Sequence, residues 1–448
     1  MIKKEKTFFS VLWTITIVLM VLLLFSHTYN DIVITTRHGI NFWSILKNGD
    51  FFQFYQVNIL ESGNEFYNAS QSCAYHILVY LVFAIWNIPL ALLMAFTNID
   101  VMNNVWCLSY AKLLPVAALL ICAWLVKRIL DLLCVPKKKQ HMLVYLFFSS
   151  ALVISVVFIM SQYDVIGLIF QLLGLQAFLE KKDRKFVFWF GIAFCFKFFS
   201  LVIFLPLLLL RQKKIGPCIG SLAGMVLPLL ITKLPFLFAP GTGDLMALEF
   251  IQSMLSYTTN YMNLFIIVYI LILVWCYLRN GENLPHDAVW ACFAGYAALF
   301  GLCNAYPYWS ILLAPFAVLA IAGSPEHFYL NLLLETFGYA GLMVSNMLKY
   351  TWCYFGNTMK SMLFRNFSYE DSLIYLVISK LSDNYLAISV FHSIFVAAMA
   401  AMAFTSYPRR RTVSLAKWND QAGYHDALIL RTCIVSVLCL LPVVSLFI

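Results

Sequence analysis

Apolar runs of membrane-spanning length recur along the whole chain, separated by short polar joints. They lie at 8–26, 73–96, 106–126, 142–160, 186–210, 216–237, 261–278, 288–303, 307–323, 329–350, 371–378 with 384–404, and 428–447. About 20 apolar residues in a helix cover the roughly 30 Å of a bilayer's hydrocarbon. The pattern predicts an all-α polytopic membrane protein with about 10–13 crossings. The shorter run 164–179 reads as a partial span or an interfacial helix. No second pattern interrupts the first, so residues 1–448 read as one polytopic domain. Within it, 27–72 is a loop after the first span, 73–350 the main helical bundle and 351–448 the C-terminal helices. The loop 27–72 mixes charge with amphipathic pieces. Phe42, Trp43, Ile45 and Leu46, then Phe51, Phe52, Phe54 and Tyr55, fit short helices lying at the headgroup level.

Composition narrows the class. Hydrophobic residues make up 62% of the chain and charged ones 11%, so each charge inside an apolar run needs a reason. The net charge of +9 comes from loop lysines and arginines, which face anionic lipid in cytoplasmic loops. No soluble basic face is visible for nucleic acid. The basic start, Lys3, Lys4 and Lys6, places the N-terminus in the cytoplasm, so the first run is a retained helix and 27–72 lies outside. Strict alternation then fails. If 73–96 and 106–126 both cross, Lys137–Lys139 lands outside, unless one early segment is re-entrant. Lys181–Lys185 and Arg211–Lys214 flank one strong run and cannot both be inside if it crosses once. Arg409–Arg411, with Lys417, reads as a cytoplasmic anchor. The twelve cysteines are dispersed and form no CxxC pair, which fits small core residues.

Candidate chemistry sits where polar groups interrupt apolar runs. Asp31 follows the first run closely and is the best-placed general base, since partial burial brings a carboxyl nearer the operating pH. Asp50 and Asp164 are alternatives. Arg37 and His38 lie near Asp31, and the guanidinium fork suits phosphate oxygens. In MSQYDVIGLIFQLLGLQAF, Gln162 and Asp164 suit sugar hydroxyls, with Asp164 near a helix N-terminus. Lys197 lies in WFGIAFCFKFFSLVIFLPLLLL, about ten residues from either end by count. Its expected mate is Glu335, also within an apolar run; the two would support a cavity or form a proton or ion path. Asn304, Tyr306, Tyr308 and Trp309 stand at a span entrance where rings stack on a sugar or anchor the helix, with Pro307 fitting the first turn. Pro235, Pro240 and Asp244 mark a loop end, with Lys233 nearby as a phosphate candidate. No P-loop, HExxH or GxSxG motif occurs, and no metal-ligand spacing stands out.

Three of these pieces carry a resemblance. They are YNDIVITTRHG after the first span, SQYDVIGLIFQLLGLQAF, and FGIAFCFKFFSLVIFLPLLLL. Together they resemble the GT-C superfamily of polyprenyl-phosphate-sugar-dependent glycosyltransferases, in its bacterial mannosyltransferase-like branch. A short family pattern is matched by Gln162, Asp164, Lys197 and Pro206, with Ser161 where the pattern has glycine. The likeness covers roughly residues 10–320 in layout. It implies a GT-C-like helical bundle in a bacterial plasma membrane, with its site facing outside. It also implies a catalytic acid in the first external loop, best matched by Asp31. An adjacent acidic pair found in some relatives is absent, since Asn30 and Ile32 flank Asp31.

The activity implied is inverting, metal-independent transfer of a sugar from a polyprenyl phosphate to a glycan or glycolipid acceptor, without a cofactor. Arg37, Lys197 or Lys233 would face the leaving phosphate. Other readings stay open. A transporter or flippase of lipid-linked saccharide would carry internal repeats, and none is evident. A polysaccharide polymerase would carry a large external loop. A membrane acyltransferase would rest on His38 or His141.

Overall fold

The computed structural model describes residues 2–61, 71–238, 251–252, 255, 261–281, 283–355, 359–362, 369, 372–408 and 424–447. The loop end at Pro240 and Asp244, and the basic cluster Arg409–Arg411 with Lys417, lie outside the described residues. Over the described residues the chain is helical apart from two short antiparallel ribbons. His27–Tyr29 pairs with Met359–Ser361, and Ile59–Leu60 pairs with Gln71–Ser72.

Among the described residues, five helices are long and apolar enough to cross a membrane. They are Glu5–Ser26, Val105–Leu132, Ile215–Phe236, Tyr385–Thr405 and Tyr424–Val444, and three bent pairs raise the total to eight. This is the signature of an integral membrane protein. It falls below the ten to thirteen crossings expected, because several runs continuous in hydropathy are broken in backbone. Ile77–Trp86 and Ile88–Phe96 meet at 62°, Lys137–Phe148 and Ala151–Ile159 at 50°, and Pro307–Gly323 and Pro325–Lys349 at 100°.

The break with the largest consequence falls in the run 186–210. It is not one span but two helices, Asp183–Phe196 and Ser200–Arg211, with Lys197 extended between them at φ −153° and ψ 128°. Arg211 pairs with Asp183 and donates to the Phe178 carbonyl at 2.6 Å. The far ends of the two arms therefore meet, and Lys197 is the tip of a hairpin. Fourteen and twelve residues give arms of about 21 and 18 Å, too short to cover a bilayer core.

This hairpin removes the charge conflict read from the sequence. Lys181–Lys185 and Arg211–Lys214 flank the open end of the hairpin and lie together. Other contacts bring the remaining basic segments to the same end of the bundle. Lys139 lies over the Tyr424 ring, and the Tyr424 hydroxyl donates to Glu5. Lys137 pairs with Asp131, and Lys182 pairs with Glu180, which also feels Arg128. Lys213 donates to the Cys276 carbonyl, while Arg279 clamps Asp287 and reaches the Pro408 carbonyl.

The bent pair 77–96 stays at the opposite end. Trp86 and Tyr110 exchange hydrogen bonds, and Lys112, two residues on, reaches the end of the first helix. Helix Val105–Leu132 then runs toward the basic end, so Lys137–Lys139 falls there too.

Two buried cations knit the bundle. Lys112 is fully buried and caps the C-terminus of helix Ile2–Ser26, donating to the carbonyls of Leu23, Leu24 and His27. The negative end of a helix dipole favours a cation there. Arg431, also buried, pairs with Glu335 and bonds Ser149, Leu146 and Thr336. Glu335 is thus the mate of Arg431 and not of Lys197, and the pair joins helices Lys137–Phe148, Phe328–Lys349 and Tyr424–Val444.

The segment after the first helix is amphipathic as expected, forming helix Asn30–Asn48. Its apolar face turns inward, however. Phe42 and Ile45 are buried in a cluster with Phe54, Tyr80 and Phe236 rather than laid on lipid, while Leu46 and Phe52 of the expected set are exposed. Gly39 permits this contact: a Cβ there would lie 2.7 Å from Phe83 Cβ and 2.9 Å from the Phe83 carbonyl carbon.

Candidate functional site

The site forms at the end of the bundle opposite the basic loops. Four breaks in regular structure meet there: the start of helix Asn30–Asn48, the residues before Ile77, the start of helix Asp164–Leu179, and the hairpin tip at Lys197. Helix Pro307–Leu312, a short 3-10 turn after an extended Tyr306, adds a fifth wall.

Asp31 occupies the first turn of its helix, where the dipole favours a carboxylate. Its position is set from the preceding strand. His27 is buried beside Lys112, its Nε2 donates to the Pro442 carbonyl at 3.1 Å, and its Nδ1 meets Ser26 Oγ at 2.6 Å. Burial first, and the Lys112 ammonium second, push His27 down to about 3, so it holds this strand as a neutral ring.

Asp31 is partly buried, and its Oδ2 accepts from Gln162 Nε2 at 2.9 Å and from the Tyr75 hydroxyl at 3.3 Å. Both donors address the same oxygen. Among the described residues Oδ1 has no hydrogen-bond partner, which leaves it open to an incoming group. Burial pushes the Asp31 carboxyl above the ordinary carboxylate range; the Gln162 bond, the Lys197 ammonium and the Tyr75 bond pull against it.

Asp164 and Lys197 form the second half of the site. Lys197 Nζ lies 3.0 Å from Asp164 Oδ1, and the aspartate side chain is fully buried. The same ammonium faces three rings, those of Trp309 at 5.5 Å, Tyr163 at 5.6 Å and Tyr75 at 5.8 Å. One lysine thus faces two acids, Asp164 in direct contact and the more open Asp31 beyond it. Such an arrangement separates the roles of two acids by environment.

The rings around this centre form a wall. Tyr75 and Tyr163 meet edge to face at 4.9 Å. Tyr308 stacks on Tyr306 at 5.6 Å, and Tyr29 stacks on Trp352 at 6.5 Å. Both Tyr29 and Tyr308 lie within electrostatic reach of Asp31.

Five residues expected from the sequence therefore come together: Asp31, Gln162, Asp164, Lys197 and Trp309. Others do not. Asp50 follows the opposite end of helix Asn30–Asn48, whose 19 residues span about 28 Å, so it cannot share the Asp31 centre. Arg37 lies six residues along the same helix, about 9 Å of axial rise from Asp31, with Nη1 3.3 Å from Met94 Sδ. His38 is buried edge-on to Tyr80 rather than beside the acid, and desolvation above all lowers it to about 4.

Lys233 ends helix Ile215–Lys233, where the neighbouring Thr232 bonds His76 Nε2 at 2.9 Å, so it stands toward the rim. Asn304 accepts from Lys349 and Tyr350 and lines a neighbouring pocket with Tyr306, one ring removed from the centre. His141 is exposed on the helix that starts at the basic end.

Tyr75, Tyr163 and Lys112 were not singled out from the sequence. Tyr163 stands between Gln162 and Asp164, and that position was a usable signal. Tyr75 resembles an ordinary interfacial aromatic at a span entrance, and nothing local distinguishes it. Among the described residues no group of three His, Cys, Asp or Glu side chains is placed to hold a metal ion. No family model, no curated protein and no solved structure matches this chain.

Proposed function

We propose that the chain is a membrane glycosyltransferase of the GT-C type, moving a sugar from a polyprenyl phosphate to a glycan or glycolipid acceptor. The observation that carries this reading is the Asp31 carboxylate. Two donors fix it through Oδ2, its Oδ1 is open, and flat aromatic faces suited to sugar C–H groups surround it. Positive loops favour the cytoplasm, which supports an external Asp31 end, the face where a lipid-linked donor would meet an envelope acceptor.

In this reading Asp31 Oδ1 takes the proton of an acceptor hydroxyl as its oxygen attacks the anomeric carbon from the side opposite the leaving group. The C–O bond to the polyprenyl phosphate breaks, the configuration inverts, and the phosphate leaves with the bonding pair. Gln162 and Tyr75 orient the base. Lys197, held by Asp164, lowers the cost of ionising Asp31. Arg37 is the cation best placed to meet the departing phosphate, because Lys197 is already committed.

The test is transfer of radiolabelled sugar from a panel of polyprenyl-phosphate sugars by purified protein, with an extract of native lipids and glycans as acceptor. Wild type is expected to make product, and Asp31→Asn to lose more than about 100-fold. Equal transfer by both would remove Asp31 as the base.

A second reading is favoured by one observation. A broken hairpin whose tip carries a lysine among carboxylates is also how transporters build a binding site. Movement of a lipid-linked saccharide across liposomes without any transfer product would support that reading instead.

A further inference from the structure

Beside the Asp31 centre lies a separate pocket of about 240 Å³. Helices Leu284–Leu302, Phe328–Lys349 and Tyr385–Thr405 enclose it. At about 30 Å³ for each water, it has room for roughly eight, the scale of one sugar ring rather than a chain. Its wall is polar for a bundle this apolar, with Asn304, Ser345, Asn346 and Ser389 on it beside the ring of Tyr306. The buried side chains of Ser345 and Asn346 make no hydrogen bond within the chain among the described residues, so their donors and acceptors are available to a ligand.

The charge of the wall is one-sided. Lys349 supplies an ammonium, held to Asn304 Oδ1 and lying 5.3 Å from the Tyr350 ring, and no lining residue carries a carboxylate. Ring contacts join the pocket's wall to the centre. Tyr306 lines it, stacks on Tyr308 and meets Trp309 edge-on at 5.1 Å, and Trp309 in turn faces Lys197.

We propose that this pocket binds one sugar unit bearing an anionic group, a carboxylate or a phosphate, and so selects an anionic glycan as the acceptor. The word acceptor rests on the glycosyl-transfer reading; the ligand preference does not. The hydroxyls meet the serine and asparagine groups, the ring lies against Tyr306, and the anion meets Lys349 in a charge-assisted hydrogen bond. A neutral sugar leaves that ammonium with only its amide partner.

The experiment titrates the full-length protein in nanodiscs with D-glucuronate, D-glucose 6-phosphate, D-glucose and inorganic phosphate. Binding is read from intrinsic tryptophan fluorescence and checked by calorimetry. At least one charged sugar is expected to bind about tenfold tighter than glucose, the scale of one charge-assisted bond. The better of the two identifies the anion. Lys349→Gln, at an exposed position, is expected to abolish the preference, Asn346→Leu to weaken every sugar, and Asp31→Asn to leave binding unchanged.

Equal affinity for charged and neutral sugars overturns the proposal, and so does a preference that survives Lys349→Gln. Inorganic phosphate binding as tightly as the sugar phosphate also overturns it, since the sugar ring would then contribute nothing. Lys349-dependent sugar binding in a protein that transfers no sugar would overturn the transfer reading and leave the pocket standing. Transfer without charge preference would do the reverse.

Discussion

Breaking the Lys197–Asp164 pair should unfold the hairpin tip before it abolishes chemistry, and the size of the effect follows from the geometry. At 3.0 Å and an effective dielectric of about 20, the direct attraction is about 5.5 kcal/mol. Desolvation of both groups offsets much of it, so the intact pair contributes less than this. Lys197→Met removes the attraction but leaves a fully buried Asp164 carboxylate with Asp31 nearby, which costs about 3–5 kcal/mol.

The double variant Lys197→Met with Asp164→Leu removes the stranded charge as well. It should be more stable than the sum of the single losses, by about 2 kcal/mol or more. Reversible unfolding in mixed micelles, followed by tryptophan fluorescence across the four proteins of the cycle, measures this coupling. Single losses under about 0.5 kcal/mol, or strict additivity, would refute a buried, mutually dependent pair. The same Lys197→Met variant removes a cation that lowers the Asp31 carboxyl, so the acid limb of its pH–rate profile should move to higher pH.

Three further outcomes are expected. Because the folded state raises the Asp31 carboxyl, it binds that proton more tightly than the unfolded chain. Asp31's contribution to stability is therefore greatest below the ordinary carboxylate range and is lost as pH rises through the raised value; Asp31→Asn should match or exceed wild-type stability at neutral pH while losing activity, as thermal melts at pH 4 and pH 7 would reveal. Glu335→Gln leaves Arg431 buried without its counter-charge and should cost about 3–5 kcal/mol in micelle unfolding, with Glu335→Leu plus Arg431→Met costing less than either single change. Gly39→Ala forces a methyl against the Phe83 backbone and should cost about 1–3 kcal/mol, read as a lower melting temperature with sugar transfer reduced in parallel.

Much of the centre was legible because polar groups in apolar runs are costly. That argument alone picked out Gln162, Asp164 and Lys197, and proximity to the first span picked out Asp31. The partner of Lys197 was not legible, since two buried charges far apart in sequence carry no sign of which meets which. Glu335 was as plausible as Asp164 until the helices were placed, and Arg431, its actual mate, was hidden in the last apolar run.

The hairpin was harder to see. The stretch FCFKFFSLV holds no glycine or proline at the break, and its hydropathy is that of an unbroken helix. Yet the loops contained the answer. Basic clusters on both sides of one apolar run are incompatible with a single crossing and natural for a chain that returns to the side it left. Charge, read strictly, was the better guide than hydropathy there, and also at 73–96, where the helices Ile77–Trp86 and Ile88–Phe96 meet at 62° and Lys137–Lys139 falls at the basic end.

The strand bearing His27 links Asp31 to the order in which the chain is made. Asp31 precedes in sequence the strand and the helix that hold it, so it is made before them. His27, four residues before it, is held by the Pro442 carbonyl, 415 residues later, and its strand pairs with Met359–Ser361. Asp31 therefore cannot reach its final position until helix Tyr424–Val444 has been inserted and packed. During synthesis the Asp31 carboxyl stays unassembled, and a chain stopped before residue 442 should lack the arrangement around Asp31 however well its earlier helices insert.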